Sequence, residues 1–199
     1  MSCILKSLFD IPSGVRVILA SGSPRRRALL TEIGWSFDVV LPDVDETPKT
    51  GETPQALCLR LAESKVLSVA CRYKNALVIG ADTIVLIDGA ALGKPIDKAD
   101  AIRMLSLLQG RTHEVLTGYA LVWDGRARSR VEKTAVRFRP LGHDDIQSYV
   151  DTKEGLDKAG AYAIQGKGSL LVAGIDGDYF NVVGLPLCSL RMMIEEWEV

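Results

Sequence analysis

The chain has 199 residues, 47% of them hydrophobic, and its 24 Lys and Arg residues nearly balance 25 Asp and Glu residues to give a net charge of −1. This length suits one domain, or one domain with two lobes, around a substantial core. The charge balance argues against a nucleic-acid-binding surface, which would require a basic excess.

The chain's cysteines and apolar runs indicate its compartment. Its four cysteines, Cys3, Cys58, Cys71 and Cys188, are scattered without a C-x-x-C pair, so we expect reduced, mostly buried thiols. No apolar run reaches the roughly 18 residues of a membrane span. Residues 1–14 make a poor signal peptide and are predicted to be a loose lead-in. We therefore expect one domain over residues 1–199, cytoplasmic and without a membrane partner.

The first predicted elements form an anion-binding turn. Arg16–Ala20 is predicted to be a short buried strand, and the small residues Ser21-Gly22-Ser23 separate it from a helix that begins at Pro24 and ends near Ile33. Such a turn directs backbone N–H groups and the positive end of the helix dipole into one space. Arg25 and Arg26 add guanidinium groups suited to phosphate. They could instead be solvated residues, but cations at a helix N-terminus oppose the dipole, so the pattern favours anion binding.

The next elements raise two open questions. A short strand over Phe37–Leu41 is followed by the acidic loop Pro42–Pro48, which could simply be solvated. A long helix over Thr53–Tyr73 then has an apolar face with Lys65 in its middle. The lysine either extends along the core to solvent or has an anionic partner.

The segment Ala76–Ile87 is rich in aliphatic and β-branched residues, which predicts a central strand buried on both faces. Asp82 lies in its middle, beside the small residues Gly80 and Ala81. An ionised carboxylate in such a strand costs several kcal/mol without a cationic or metal partner, on the order of magnitude expected for buried charge. The alternative is that Asp82 only caps a neighbouring loop. We favour Asp82 as the catalytic candidate.

The remaining elements complete an α/β pattern. Lys94, between Gly93 and Pro95, lies on a stiff exposed connection and is a weak phosphate-contact candidate. The two histidines have no partner at motif spacing, so a histidine base is unsupported. The later predicted elements are a helix that Asp97 caps and that runs to Gln109, a hairpin of Val115–Trp123 and Arg128–Phe138 across an Asp124-Gly125 turn, a helix Asp144–Val150, a strand Ser169–Ile175 and a helix Leu187–Trp197.

A glycine-rich tract near residue 165 suggests a flat ligand. Glycines in the tract Asp157–Gly168 permit close backbone approach, and the Gln165 amide can both donate to and accept from a base edge. Alone, this signal is only moderate.

Four motifs in order resemble the Maf family of nucleoside triphosphate pyrophosphatases. They are Ala20-Ser21-Gly22-Ser23-Pro24-Arg25-Arg26, Gly80-Ala81-Asp82-Thr83-Ile84-Val85, Gly93-Lys94-Pro95, and Asp157–Gly166 followed by Val183-Gly184-Leu185-Pro186. The resemblance implies an α/β fold with a mixed, twisted central sheet flanked by helices and two lobes with a cleft between them, similar to inosine-triphosphate pyrophosphatases. It also implies a homodimer that needs Mg²⁺ or Mn²⁺.

The same resemblance implies roles for particular residues. Ser21, Arg25 and Arg26 would bind the triphosphate, with Lys65 and Lys94 completing the cationic lining. Asp82 would be the general base for water and, with Glu46, would bind the metal. Gln165 would contact the base. The implied reaction is NTP + H₂O → NMP + pyrophosphate by attack at the α-phosphorus.

The motif around Gln165 resembles the dTTP/UTP-cleaving branch of that family, whereas the 7-methyl-GTP-cleaving branch would have Glu in place of Gln165. Gly93 departs from the Glu of some relatives, so this chain has no side chain to act at position 93. CTP or modified pyrimidine nucleotides remain alternative substrates. A regulator of septum formation that binds nucleotide without turnover is the alternative function. A nucleotide kinase is disfavoured because the chain has no G-x-x-x-x-G-K-[ST] loop.

Overall fold

The computed structural model describes residue 11 and residues 14–197. The predicted lead-in over residues 1–14, and Cys3 with it, therefore falls almost entirely outside the described residues. Within the described part, no helix is both long and apolar enough to cross a membrane.

A mixed sheet of seven strands organises the chain, in the order β2-β1-β3-β5-β6-β7 with β4 paired to β3. Strand β1 pairs in parallel with β2 and β3, whereas β4 runs antiparallel to β3 and β7 antiparallel to β6. The α/β class with a mixed central sheet is thus confirmed. The strands are β1 Arg16–Leu19, β2 Asp38–Val39, β3 Ala76–Ile87, β4 Ala90–Leu92, β5 Thr112–Trp123, β6 Arg126–Phe138 and β7 Val172–Asp176.

Six α-helices are described, and several begin where the sequence predicts a cap. Thr53 and Asp97 accept hydrogen bonds from the backbone N–H groups of Ala56 and Asp100, which satisfies donors that the first helical turn leaves unpaired. The helices are α1 Pro24–Glu32, α2 Pro54–Ala70, α3 Lys98–Leu108, α4 His143–Asp151, α5 Tyr179–Val183 and α6 Leu187–Glu195.

The chain divides into two compact units. Unit 1 contains the chain up to Asp82, Thr117–Glu132 and the chain from Gly184 onward. Its core includes Ile18 of β1, Val66 of α2 and Val78 of β3. Because Gly118 of β5 has no side chain, the α2 backbone at Cys58 can lie directly against it; a Cβ there would lie 2.3 Å from the Cys58 carbonyl oxygen.

Unit 2 contains Thr83–Leu116 and Lys133–Val183. Its core combines α3 and α4 side chains with an aromatic cluster in which the ring of Phe138 meets Tyr162 and His113 edge-on. His113 is almost fully buried, and its Nε2 lies 2.8 Å from the Tyr162 hydroxyl. The histidine therefore serves the core of unit 2, in agreement with the sequence argument against a histidine base.

Four elements differ from the sequence expectation. The predicted strand Ser169–Ile175 begins only at Val172, because residues Gly166–Leu171 form a 3-10 helical turn. Strand β4, which pairs back on β3 after the Asp88-Gly89 turn, was not predicted, and neither was α5. The predicted strand Phe37–Leu41 is reduced to the two residues of β2.

The expectation of mostly buried thiols is wrong for two of the three described cysteines. Cys58 is buried, and its burial, together with the nearby Asp82 charge, raises the pKa of its thiol to about 11. Cys71 and Cys188 are exposed. Cys71 lies at the C-cap of α2, past its last buried turn, and Cys188 lies in the first turn of α6, before its first buried residue, Leu190.

Candidate active site

The turn between β1 and α1 is held by hydrogen bonds among its own residues. The Ser21 hydroxyl accepts a hydrogen bond from the Ser23 backbone N–H at 3.2 Å. Ser23 is the N-cap of α1 and Pro24 its first residue, as the sequence predicts. The first turn of α1 contains no acidic residue, so no side chain there neutralises the positive end of the helix dipole.

Arg26 is fixed beneath this turn by two hydrogen bonds. Its Nε donates to the Gly184 carbonyl at 2.8 Å and its Nη1 to the Ser21 hydroxyl at 3.2 Å. Burial lowers the pKa of Arg26; the negative charges of Asp82 and Glu46 oppose that shift, and the positive charge of Arg25 adds to it. The Arg26 guanidinium thus lies within electrostatic reach of three other residues that the sequence assigns to the site.

Lys65 joins two carboxylates. Its Nζ lies 2.7 Å from Asp82 Oδ1 and 2.7 Å from Glu46 Oε1. The Lys65 side chain is 8% exposed and that of Asp82 15%. The sequence left an anionic partner for Lys65 and a cationic partner for Asp82 as open questions, and the structure shows that the two residues are each other's partners.

The acidic loop that contains Glu46 is anchored to α2. Arg60 donates from Nε and Nη2 to both carboxylate oxygens of Glu52, at 2.6 and 2.8 Å, and from Nη2 to the Thr47 carbonyl at 3.1 Å. Hydrogen bonds from Arg60 and from the Lys49 backbone lower the pKa of Glu52 to about 2. The loop is therefore tied to the helix that also bears Lys65, rather than simply solvated.

The carboxylates fit a metal that is shared with a phosphate ligand. In the described part of the chain, no group of three or more His, Cys, Asp or Glu residues could bind a metal ion. Glu46 and Asp82 nevertheless both form ion pairs with the Lys65 ammonium group, so their carboxylate oxygens are close together. Mg²⁺ is commonly bound by one or two carboxylates together with substrate phosphates and waters, and this donor pair fits that pattern.

Two candidates lie in unit 2, and each is exposed. Lys94 follows β4 on the connection to α3. Gln165 precedes the 3-10 turn of Gly166–Leu171. The remaining six candidates, all in unit 1, are Ser21, Arg25, Arg26, Glu46, Lys65 and Asp82.

Sequence reasoning missed several supporting residues. Gly184, whose carbonyl fixes Arg26, was noted as part of a motif but received no role. The Arg60–Glu52 pair had only a weak sequence signal, which is that Arg60 lies on the same helix as Lys65, α2. Glu154, which accepts hydrogen bonds from the backbone N–H groups of Lys167 and Gly168, had no sequence signal, because contacts between irregular segments follow no periodicity.

Comparison with known families decides the assignment. The sequence model described as "Maf-like protein" matches residues 16–197. The chain belongs to the Maf family.

Two relatives named dTTP/UTP pyrophosphatase are similar to this chain over most of their length. A dTTP/UTP pyrophosphatase of Symbiobacterium thermophilum is 50% identical over 182 residues, which cover 92% of this chain and 94% of the relative. A dTTP/UTP pyrophosphatase of Moorella thermoacetica is 50% identical over 181 residues, which cover 90% and 93%.

A solved structure supports the fold of this Maf-family chain. The Ham1 protein of Staphylococcus aureus superposes with a TM-score of 0.50 over 92% of this chain and 99% of its own, at 15% sequence identity. At that identity the likeness concerns the fold alone.

Proposed function

We propose that the chain is a nucleoside triphosphate pyrophosphatase that hydrolyses dTTP and UTP to the nucleoside monophosphate and pyrophosphate. The observation that most supports this function is the Glu46–Lys65–Asp82 cluster within electrostatic reach of the buried Arg26. The pyrimidine substrates are proposed because relatives 50% identical to this chain are named dTTP/UTP pyrophosphatases.

The triphosphate binds at the turn before α1 in this proposal. Ser21, Arg25 and Arg26 contact its phosphates, and Lys94 provides a further positive charge. A nucleoside triphosphate has about four negative charges near neutral pH, so its transfer reaction depends mainly on alignment and charge stabilisation. The hydrogen bonds from Arg26 to Ser21 and Gly184 support this role, because they orient the guanidinium before the substrate binds.

Asp82 acts as the general base. It accepts a proton from the water that attacks the α-phosphorus, and the bond from that phosphorus to the leaving pyrophosphate breaks. Lys65 fixes the Asp82 carboxylate through its 2.7 Å ion pair. Since water attacks directly, the reaction requires no covalent intermediate and no nucleophile–histidine pair.

Glu46 and Asp82 are the proposed ligands of a divalent cation, Mg²⁺ or Mn²⁺. When bound, such an ion neutralises part of the phosphate charge. Lys65 lies against both carboxylates and offsets their mutual repulsion when no metal is present.

Gln165 contacts the base, a role that the resemblance to the pyrimidine-specific branch supports. Chain length, charge and cysteine pattern support a single catalytic domain in the cytoplasm without nucleic-acid or membrane partners, and the resemblance supports a homodimer.

A panel of nucleotides tests the function. The purified protein with Mg²⁺ or Mn²⁺ is incubated with dTTP, UTP, CTP, GTP and 7-methyl-GTP, and released pyrophosphate is measured. We expect pyrophosphate and nucleoside monophosphate in equal amounts, with the highest kcat/KM for dTTP or UTP. Binding of these nucleotides without pyrophosphate release would refute the proposal and favour the nucleotide-binding regulator of septum formation.

A further inference from the structure

The carboxylate of Glu154 is surrounded by donors from the segment that follows Gln165. Its Oε2 accepts from the Lys167 backbone N–H at 3.0 Å, and its Oε1 accepts from the Gly168 backbone N–H at 2.9 Å. Burial by itself would raise the pKa of Glu154. The two N–H donors, the Tyr149 hydroxyl and the positive charge of Lys158 outweigh burial, so the pKa of Glu154 is lowered overall. Glu154 is therefore an ionised group that fixes the backbone on the C-terminal side of Gln165.

The same carboxylate also fixes the N-terminal side of Gln165 through one side chain. The Tyr149 hydroxyl donates to Glu154 Oε1 at 3.2 Å and accepts from the Ala163 backbone N–H at 3.1 Å. Glu154 and Tyr149 thus contact the chain two residues before and two residues after Gln165.

Close packing leaves this segment little room to move. Gly166 has a φ of +63°, and a Cβ on it would lie 2.6 Å from Glu154 Oε2. A Cβ on Gly168 would lie 2.1 Å from the Ala163 carbonyl oxygen. Gln165 itself is exposed. A tightly bonded backbone beneath one exposed amide is the arrangement expected for a residue that must meet a ligand in one orientation.

We propose that Glu154 is a positioning residue that, through the backbone of Ala163–Gly168, holds Gln165 in the orientation that binds the pyrimidine base. This inference rests on the proposed function and deepens it. Glu154 sets nucleotide affinity and base selectivity, whereas the chemical step depends on residues of unit 1.

The test is Glu154→Gln, which keeps the side-chain shape but replaces one acceptor oxygen by an NH₂ group that faces backbone donors. Because Gln165 is then held less firmly in its binding orientation, we expect KM for dTTP and UTP to rise about tenfold while kcat stays within about twofold. The preference for these nucleotides over GTP should decrease. Hydrogen exchange at the Lys167 and Gly168 amides should accelerate.

A double-mutant cycle separates positioning from general stability. If Glu154 acts through Gln165, then Glu154→Gln raises KM in the wild type but has little further effect in a Gln165→Ala background. Asp151→Asn is the matched control, because this nearby exposed carboxylate bonds to Lys98 and Gln147; its KM should equal that of the wild type. Should Glu154→Gln fail to fold, Tyr149→Phe, which deletes only the bridging hydroxyl, is expected to shift KM in the same direction.

Two results would overturn the inference while the proposed function stands. One is that the wild type releases pyrophosphate while the folded Glu154→Gln and Tyr149→Phe variants have the same KM and selectivity as the wild type. The other is that Glu154→Gln raises KM by the same factor in the wild type and in the Gln165→Ala background. Failure of the proposed function looks different, because the wild type itself would then release no pyrophosphate.

Discussion

Lys65 and Asp82 form a partly buried ion pair that stability alone does not explain. Removing two charges from water costs several kcal/mol per ion, and apolar residues of similar volume often stabilise a fold equally well. The second carboxylate on Lys65, Glu46, is by contrast largely exposed, at 59%. A partly buried acid that shares its lysine with an exposed acid is more readily explained by a catalytic role than by a role in folding.

His113 is expected to make the stability of the fold depend on pH. Burial lowers the pKa of His113 from 6.5 to about 4, so the unfolded chain binds a proton at a pH where the folded chain does not. The free energy of unfolding should therefore fall as the pH decreases from about 6.5 to about 4, by up to about 3 kcal/mol for a shift of this size. Urea unfolding at several pH values measures this slope.

Two variants isolate the contribution of His113. His113→Gln keeps a polar partner for the Tyr162 hydroxyl but does not titrate, so its unfolding free energy should depend less on pH in this range. His143→Gln, at an exposed position at the start of α4, should retain the wild-type slope. Identical slopes for His113→Gln and the wild type would show that the buried imidazole is not the titrating group.

At the scale of elements, the approach of α2 to β5 positions Lys65. Gly118 lies against the Cys58 and Leu59 backbone, and Lys65 lies two turns further along the same helix. Gly118→Ala should destabilise the fold by roughly 1–3 kcal/mol, the usual range for overpacking, because the contact is with backbone that cannot rotate away. Thermal or urea unfolding measures the change.

Gly93→Ala is the control for that experiment. A Cβ at Gly93 would meet no atom within 4 Å, and we expect its unfolding free energy to stay within about 0.5 kcal/mol of the wild type, as for most surface changes. A Gly118→Ala variant as stable as Gly93→Ala would contradict the close packing.

Elements with strong local signals could be predicted from the sequence. The aliphatic density of β3, the caps at Ser23, Thr53 and Asp97 and the Asp124-Gly125 turn all depend on neighbours in the chain, and each lies where predicted. Only residues 169–171 of the 3-10 turn after Gln165 were wrongly predicted to be strand. The sequence could not show this turn, because its Lys167 and Gly168 N–H groups bond to Glu154, a partner outside the segment.

In the candidate site, too, contacts between residues distant in the chain could not be predicted from the sequence. Asp82 and Lys65 were singled out because each was a charge in an apolar pattern, but no pattern could pair them, since 17 residues separate them. Gly184, 158 residues from Arg26, likewise needed the fold to reveal its carbonyl contact.

At the scale of the whole molecule, the net charge of −1 conceals a local concentration of positive charge. The three cations Arg25, Arg26 and Lys65 outnumber the two carboxylates of the same cluster, Glu46 and Asp82, so the cluster has an excess of one positive charge. A nearly neutral protein can still attract a polyanion where its cations are grouped, because local potential rather than net charge guides a ligand into a site.

The most direct test of the central claim is to compare nucleotide binding and turnover in Asp82→Asn. Lys65 keeps Glu46 as its partner in this variant, so the fold should persist. The Kd for dTTP, measured without a divalent cation, should stay within about threefold because the loss of a negative charge does not weaken phosphate binding. A general base contributes typically 10²–10⁴-fold, and we expect kcat to fall about 10³-fold. Asp88→Asn, which changes an exposed carboxylate just after β3, should hydrolyse dTTP like the wild type. A folded Asp82→Asn protein with near wild-type kcat would contradict the account.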